Sequence, residues 1–144
     1  MKDNPAKEYL KRYRAALCRA DALRMAINEA IERATDVSAK LRQVVVSGSG
    51  TSDRVAEDVA RAIDMSAPLY EELKQARRVL DEVMEAIGAV RDEMQKTVLI
   101  LRYVEGMGWP DIQDKIGYER TQTLVIHGRA LWYVNKWLED EKKC

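Results

Sequence analysis

The stretch WPDIQDKIGYERTQTLVIHGRAL, residues 109–131, decides how the C-terminal part of the chain is organised. Pro110 suits the first turn of a helix, because its missing N–H would have no partner there. Gly117 permits the left-handed backbone conformation that commonly ends a helix. The stretch therefore predicts a short helix over Pro110–Ile116, a turn, and a longer helix over Glu119–Glu139.

A third helix is predicted immediately before this stretch. Asp92 and Gln95 have the spacing of a capping box, and glycines at positions 106 and 108 favour a helix end. The apolar positions of this helix are Val98, Leu99, Leu101 and Tyr103. A supporting helix, a short helix, a glycine turn and a longer helix together match helix-turn-helix geometry, in which the last helix enters the DNA major groove.

Two long amphipathic helices are predicted over the preceding residues, 1–91. Asn4-Pro5 is a good helix start, and SGSGTS at 47–52 predicts a turn. The first seam, with alternating spacings of four and three, is Tyr9, Tyr13, Ala16, Ala20, Leu23, Ile27, Ala30, Ala34, Val37, Leu41 and Val44. The second is Val55, Val59, Ala62, Ser66, Leu69, Leu73, Ala76, Leu80, Val83, Ile87 and Val90. The pattern predicts an antiparallel, coiled-coil-like hairpin with a kink or short break at Asp64–Pro68.

A second, partial row of side chains lies beside each seam. Its members are Leu10, Leu17, Ile31 and Val45 on the first helix, and Ala56, Ile63, Tyr70 and Met84 on the second. Because one partner helix does not cover so wide a stripe, we expect two hairpins to associate as a homodimer or higher oligomer. The alternative is a monomer whose hairpin packs against its own C-terminal helices.

The composition favours an all-α protein, since charged residues make up 33% of the chain and Gly and Pro are scarce. Lys plus Arg and Asp plus Glu number 24 each, so DNA attraction must come from a local surface. Cys18 and Cys144 are expected to be free thiols. With no long apolar run and no signal-peptide core at the N-terminus, we expect a cytoplasmic protein that does not span a membrane.

The span ILRYVEGMGWPDIQDKIGYERTQTLVIHGRALWYVNKWL, residues 100–138, resembles region 4 of sigma-70-family transcription factors. The whole chain resembles small phage and prophage proteins of Gram-positive bacteria that combine a helical N-terminal half with a sigma-like C-terminal domain. The matching residues are Leu101 to Tyr103, Glu105-Gly106, Trp109, Ile112, Ile116 to Tyr118 and His127 to Leu131. The resemblance implies an oligomerising hairpin over 1–91 and a sigma-like helix-turn-helix domain over 92–144.

The resemblance further implies a phage-encoded transcriptional regulator that binds promoter or operator double-stranded DNA, with host RNA polymerase as a candidate partner. Carried onto this sequence, the DNA-binding residues are Arg120, Thr121, Gln122, Val125 and Arg129. Arginine can bind guanine edges or phosphate, glutamine can pair with adenine, and threonine can contact phosphate or a thymine methyl. Relatives usually carry a basic or polar residue at the position of Val125.

Two other functions remain open. A protein-interaction module would pack the last helix on RNA polymerase or a phage partner through Leu124, Val125 and Trp132, and a DNA-packaging subunit would form a ring of many copies. No catalytic motif, cofactor loop or metal-ligand cluster appears, so we expect neither an enzyme nor a cofactor. His127 is expected to be structural or to contact phosphate. Gly128 predicts close approach by a neighbour, since glycine is unfavourable within a helix.

Overall fold

The computed structural model describes residues 4–45 and 52–143, and this part of the chain contains five helices and no strand. The helices are α1 (Pro5–Val45), α2 (Ser52–Gly88), α3 (Glu93–Leu99), α4 (Trp109–Ile116) and α5 (Arg120–Lys142). A π-helical turn, Ile100–Val104, continues α3. The prediction of an all-α protein, with a long hairpin followed by shorter helices, is confirmed.

Several sequence predictions lie outside the described residues. They concern the turn over residues 47–51, Cys144, and the side chains of Val37, Leu41, Val44, Val45 and Val55. The described chain divides into two compact units. We call Met1–Leu17 with Arg77–Cys144 the composite unit, and Cys18–Ala76 the two-helix unit. Whether residues 1–91 oligomerise and residues 92–144 bind DNA stays a prediction.

In the two-helix unit, α1 and α2 pack against each other in antiparallel order. The buried side chains are Ala20, Leu23 and Ile27 from α1 and Leu73 and Ala76 from α2. At the surface the Arg19 guanidinium lies 3.7 Å from the Glu72 carboxylate. These are the predicted seam positions, so the seam forms a narrow core here.

The α2 helix is continuous across Pro68, so the short break that was predicted as one of two outcomes, beside a kink, is absent. Ser66, the polar member of the second seam, is buried, and its hydroxyl donates to the Ile63 carbonyl at 2.8 Å. The hydroxyl is therefore satisfied within its own helix and needs no partner from α1. The prediction that the seam keeps its register across the proline is confirmed by burial of both Ser66 and Leu73.

In the composite unit, the start of α1 and the end of α2 pack against α3, the π-helical turn and α5. The core contains Ala6, Leu10, Val83, Ala86, Ile87, Val90, Leu99, Tyr103, Ala130, Leu131 and Val134. Leu10 belongs to the second row and is completely buried. In this unit the ends of the hairpin therefore pack on helices of the same chain, and whether two chains associate stays a prediction.

Polar contacts hold the start of α1 to α5. Asn4 caps α1 as predicted, with its side-chain oxygen accepting from the Ala6 N–H at 3.1 Å. The Asn135 side-chain oxygen accepts from the same N–H at 2.8 Å, and the Asn135 amide donates to Asn4 at 3.0 Å. A residue of α5 thus completes the cap of α1, which fixes the two helices relative to each other inside the composite unit.

Candidate nucleic-acid interface

The end of α3 is shaped by an unusual turn. Asp92 caps α3 by accepting from the Gln95 N–H at 2.9 Å, so the predicted N-cap is confirmed. After the π-helical turn, Gly106 adopts a positive φ of 73° and the Met107 N–H donates to the Leu101 carbonyl at 2.9 Å. A Cβ on Gly106 would lie 3.0 Å from Arg14 Nε, so the positive φ favours glycine here, and any larger residue would also require the Arg14 side chain to shift.

The helix-turn-helix pair is formed by α4 and α5. Gly117 ends α4 with a φ of 76°, and its N–H donates to the Gln113 carbonyl at 2.9 Å. Glu119 precedes the first residue of α5 in extended conformation. Ile112 and Thr123 are fully buried where the two helices pack. The predicted glycine turn and the start of the last helix are correct to within one residue.

A buried polar and aromatic cluster connects α5 to the helices before it. The Tyr103 hydroxyl lies 2.8 Å from His127 Nε2, and the Trp109 ring meets His127 edge-on with centroids 4.7 Å apart. The Arg102 guanidinium lies 4.7 Å above the Trp109 ring and donates to the Met107 carbonyl at 3.0 Å. This cluster fixes the position of α5 on its supporting helices.

Burial determines the protonation states within the cluster. Desolvation, with smaller effects of Lys7 and Arg102, lowers the pKa of His127 from 6.5 to about 4. Desolvation also raises the pKa of Tyr103 to about 12. At neutral pH both groups are therefore uncharged, and which of them donates the hydrogen bond depends on the imidazole tautomer. His127 is only 8% exposed, so its role is structural and not that of a phosphate contact.

The five predicted DNA-binding residues are all exposed, most of them on the outward side of α5. They are Arg120, Thr121, Gln122, Val125 and Arg129. The opposite side of the helix carries the buried residues Thr123, His127, Ala130, Leu131 and Val134. Thr121, Gln122, Val125 and Arg129 thus share the outward face of α5, whereas Arg120, seven residues before His127, lies on the buried side of the helix and is exposed because it is the first residue.

The charge along α5 is favourable for a polyanion. Between Arg120 and Leu138 the helix contains Arg129 and Lys136 but no acidic residue. None of these three basic side chains forms a salt bridge with another residue in the described ranges. Acidic residues occur beside this surface, at Asp111, Asp114 and Glu119, all exposed. The basic character of this surface is therefore confined to the Arg120–Leu138 part of α5.

Two further features of this surface were missed or misjudged from the sequence. Trp132, named above as a contact residue of the alternative protein-interaction module, is 57% exposed, and the Lys136 ammonium lies 5.3 Å above its ring. Gly128 was expected to be approached closely, yet a Cβ added there would meet nothing within 4 Å among the described residues. The helical period could have identified Trp132, since residues 123, 127, 130, 131 and 134 define the opposite face.

The remaining observations concern ligands, membranes and relatives. Across residues 4–45 and 52–143, no group of three His, Cys, Asp or Glu side chains is arranged to hold a metal ion. No helix within the same ranges has the length and apolar character needed to cross a membrane. No family model, curated protein or solved structure gives a significant match to this chain.

Proposed function

We propose that this protein is a phage or prophage DNA-binding transcriptional regulator of the sigma-like type. The observation that carries the proposal is the exposed start of α5, which combines Arg120, Thr121 and Gln122 with a helical segment that has no acidic residue from Arg120 to Leu138. The buried contacts of Tyr103 and Trp109 with His127 support it, because a helix that reads bases must be rigidly positioned.

The side chains of this surface suit distinct parts of a DNA duplex. Arg120 and Gln122 at the N-terminus of α5 supply the donors that guanine and adenine edges accept in the major groove. Thr121 and Val125 can contact a thymine methyl. Arg129, two turns further along, is suited to a phosphate. Sequence selectivity would thus depend on Arg120 and Gln122, and general affinity on Arg129.

A homodimer would increase the affinity of such a small basic surface. Ile31, Ile63 and Tyr70 from the second row are 46%, 59% and 48% exposed in the two-helix unit. A second hairpin packed on them would place two α5 helices on neighbouring half-sites, so that the second binding event becomes intramolecular. Host RNA polymerase stays a candidate further partner.

The test begins with selection of bound fragments from random double-stranded DNA by the full chain. Titration of the selected duplex, monitored by fluorescence anisotropy, should give binding that weakens steeply with salt. Arg120→Ala and Gln122→Ala should each lower affinity by about tenfold and relax base preference at one position. Arg33→Ala, which removes an 82% exposed arginine of the two-helix unit, is the control. Absence of binding at about 50 mM salt would disprove the proposal.

A second candidate is a protein-interaction module. Its supporting observation is the apolar exposure of α5, where Leu124, Val125 and Trp132 are 38%, 48% and 57% exposed. Val125→Arg separates the two functions, because the added charge should strengthen DNA binding but break an apolar protein contact. Mass measurement in solution tests the third possibility, a DNA-packaging subunit, which would form a ring of many copies.

A further inference from the structure

Gly128 has no explanation inside the described chain. It lies within α5, where glycine costs about 1 kcal/mol relative to alanine. The glycines with positive φ in the described residues are Gly106 and Gly117, so the backbone of Gly128 does not require a glycine. A Cβ at this position would have open space around it. The conformation and the packing of the described chain would therefore both allow a methyl group at this position.

The neighbours of Gly128 turn this position into a notch. Thr121, Val125, Gly128 and Trp132 follow each other at spacings of four, three and four, so they share one face of α5. Val125 and Trp132 are 48% and 57% exposed and stand on either side of the glycine. The outer face of the helix thus has a gap, one turn wide, between two protruding side chains.

We propose that this notch receives the sugar-phosphate backbone at the edge of the major groove that the start of α5 enters. The inference rests on the proposed DNA-binding function and adds a contact to it. Gly128 lies about 12 Å along the helix from Arg120, at about 1.5 Å per residue. The major groove is about 12 Å wide. A helix that inserts its first turns into the groove therefore meets the groove wall near Gly128.

The charges around the notch favour a polyanion as its occupant. Arg129 is adjacent to Gly128 in sequence and exposed, and Lys136 lies over the Trp132 ring on the far side of the notch. With no acidic residue from Arg120 to Leu138, both cations are available to phosphates. A purely apolar partner helix would leave the charges of Arg129 and Lys136 without an anionic partner at the border of the contact. Double-stranded DNA matches both the shape and the charge of this surface.

The contact assigns a separate role to each part of α5. The absence of a side chain at Gly128 lets one DNA strand approach the backbone of α5. Trp132 then packs on a sugar beyond the phosphate. Because every nucleotide has the same sugar and phosphate, this contact contributes affinity without base preference. Gly128 and Trp132 are thus positioning residues, and they set how deeply Arg120 and Gln122 enter the groove.

The test is the Gly128→Ala variant of the full chain, titrated with the selected duplex and with a scrambled duplex of the same length. Alanine should raise the unfolding midpoint, because it is the better helix former. It should nevertheless lower affinity for both duplexes by about tenfold, in contrast to the base-selective loss expected for Gln122→Ala. Gly88→Ala is the matched control, since its added Cβ also meets nothing within 4 Å and it lies outside α5.

The outcomes distinguish the inference from the function on which it rests. If the wild-type chain binds DNA and Gly128→Ala binds it equally well or more tightly, the notch contact is wrong and the DNA-binding function stands. A variant that keeps DNA affinity but changes oligomeric mass would likewise overturn the contact, and would assign the notch to a protein partner. If the wild-type chain binds no duplex, both proposals fail together.

Discussion

The same sequence pattern is more fully buried in one unit of this protein than in the other. Leu10 and Ile31 both belong to the second row of α1, three heptads apart, yet Leu10 is fully buried and Ile31 is 46% exposed. In the composite unit the C-terminal helices cover Leu10, although Met84 of the row on α2 is 41% exposed there, whereas in the two-helix unit no described residue covers Ile31. A wide apolar stripe therefore predicts that a third structural element must cover it. The stripe does not predict whether that element belongs to the same chain.

The largest effect that separates the units is expected from truncation of core leucines. Leu10→Ala leaves a cavity in a fully closed core and should cost about 4 kcal/mol, whereas Leu23→Ala, at a site 8% exposed, should cost about 2 kcal/mol. Residue-resolved hydrogen exchange should locate each loss in its own unit. Equal losses of stability for the two variants would contradict the view that the core of the composite unit is more completely closed.

Lowering the pH should destabilise the composite unit selectively. The pKa of His127 lies at about 4 in the folded chain, below its ordinary 6.5, so protonation favours the unfolded state. The stabilising contribution is fully present above pH 6.5 and is lost as the pH falls through 4. The free energy of unfolding should decrease by about 3 kcal/mol, at 1.36 kcal/mol per pKa unit.

The control for this pH effect is His127→Gln. This variant is expected to be less stable than the wild type at neutral pH but to lose less stability on acidification. The difference between the two pH dependences therefore measures the effect of the imidazole separately from that of the carboxylates. Denaturant unfolding at several pH values measures both chains. Parallel pH dependences of the two chains would show that His127 is not the group that titrates.

Pro68 offers the corresponding experiment in the two-helix unit. Its ring interrupts the hydrogen bonding of a helix that is otherwise continuous, and its side chain is exposed. Pro68→Ala restores an N–H that can donate to the Asp64 carbonyl and should stabilise this unit by about 2 kcal/mol. Thermal unfolding followed by circular dichroism tests the gain. A lower unfolding midpoint would mean that the helix requires the proline.

The smallest effect on the folding of a single chain is expected at the exposed second-row residues of the two-helix unit. Ile63→Lys and Tyr70→Lys should each change the free energy of unfolding by less than about 0.5 kcal/mol. If hairpins associate through this row, the same substitutions should reduce the mass measured by light scattering to that of one chain. Met65→Lys, at a 73% exposed position off the row, is the control. An unchanged mass would remove the row from the interface.

Much of the fold follows from local signals in the sequence. Heptad spacing identified the buried positions Leu23, Leu73 and Val83, and the glycine at 117 located the turn between α4 and α5. All five candidate DNA-binding residues are exposed, and whether they bind DNA stays a prediction. These features depend on residues within one or two turns of each other, so a periodic pattern contains the necessary information.

Contacts between distant residues could not be predicted in the same way. The π-helical turn at Ile100–Val104 coincides with a bond from the Arg14 guanidinium to the Val104 carbonyl, at 3.1 Å. Gln95 was expected to complete a capping box, but its side-chain oxygen is buried without a hydrogen-bond partner among the described residues. Tertiary packing decided both outcomes, and neither has a marker in the local sequence.

The bond between Asn135 and the first turn of α1 also constrains the order in which the protein can fold during synthesis. Ala6 leaves the ribosome 129 residues before its acceptor on α5. The two-helix unit, made from one continuous segment, can form while translation continues. The composite unit must wait for α5, and until then Leu10 and its neighbours have no C-terminal helices to cover them. The interval between these events is when a nascent chain is most open to chaperones and to misassembly with other nascent copies.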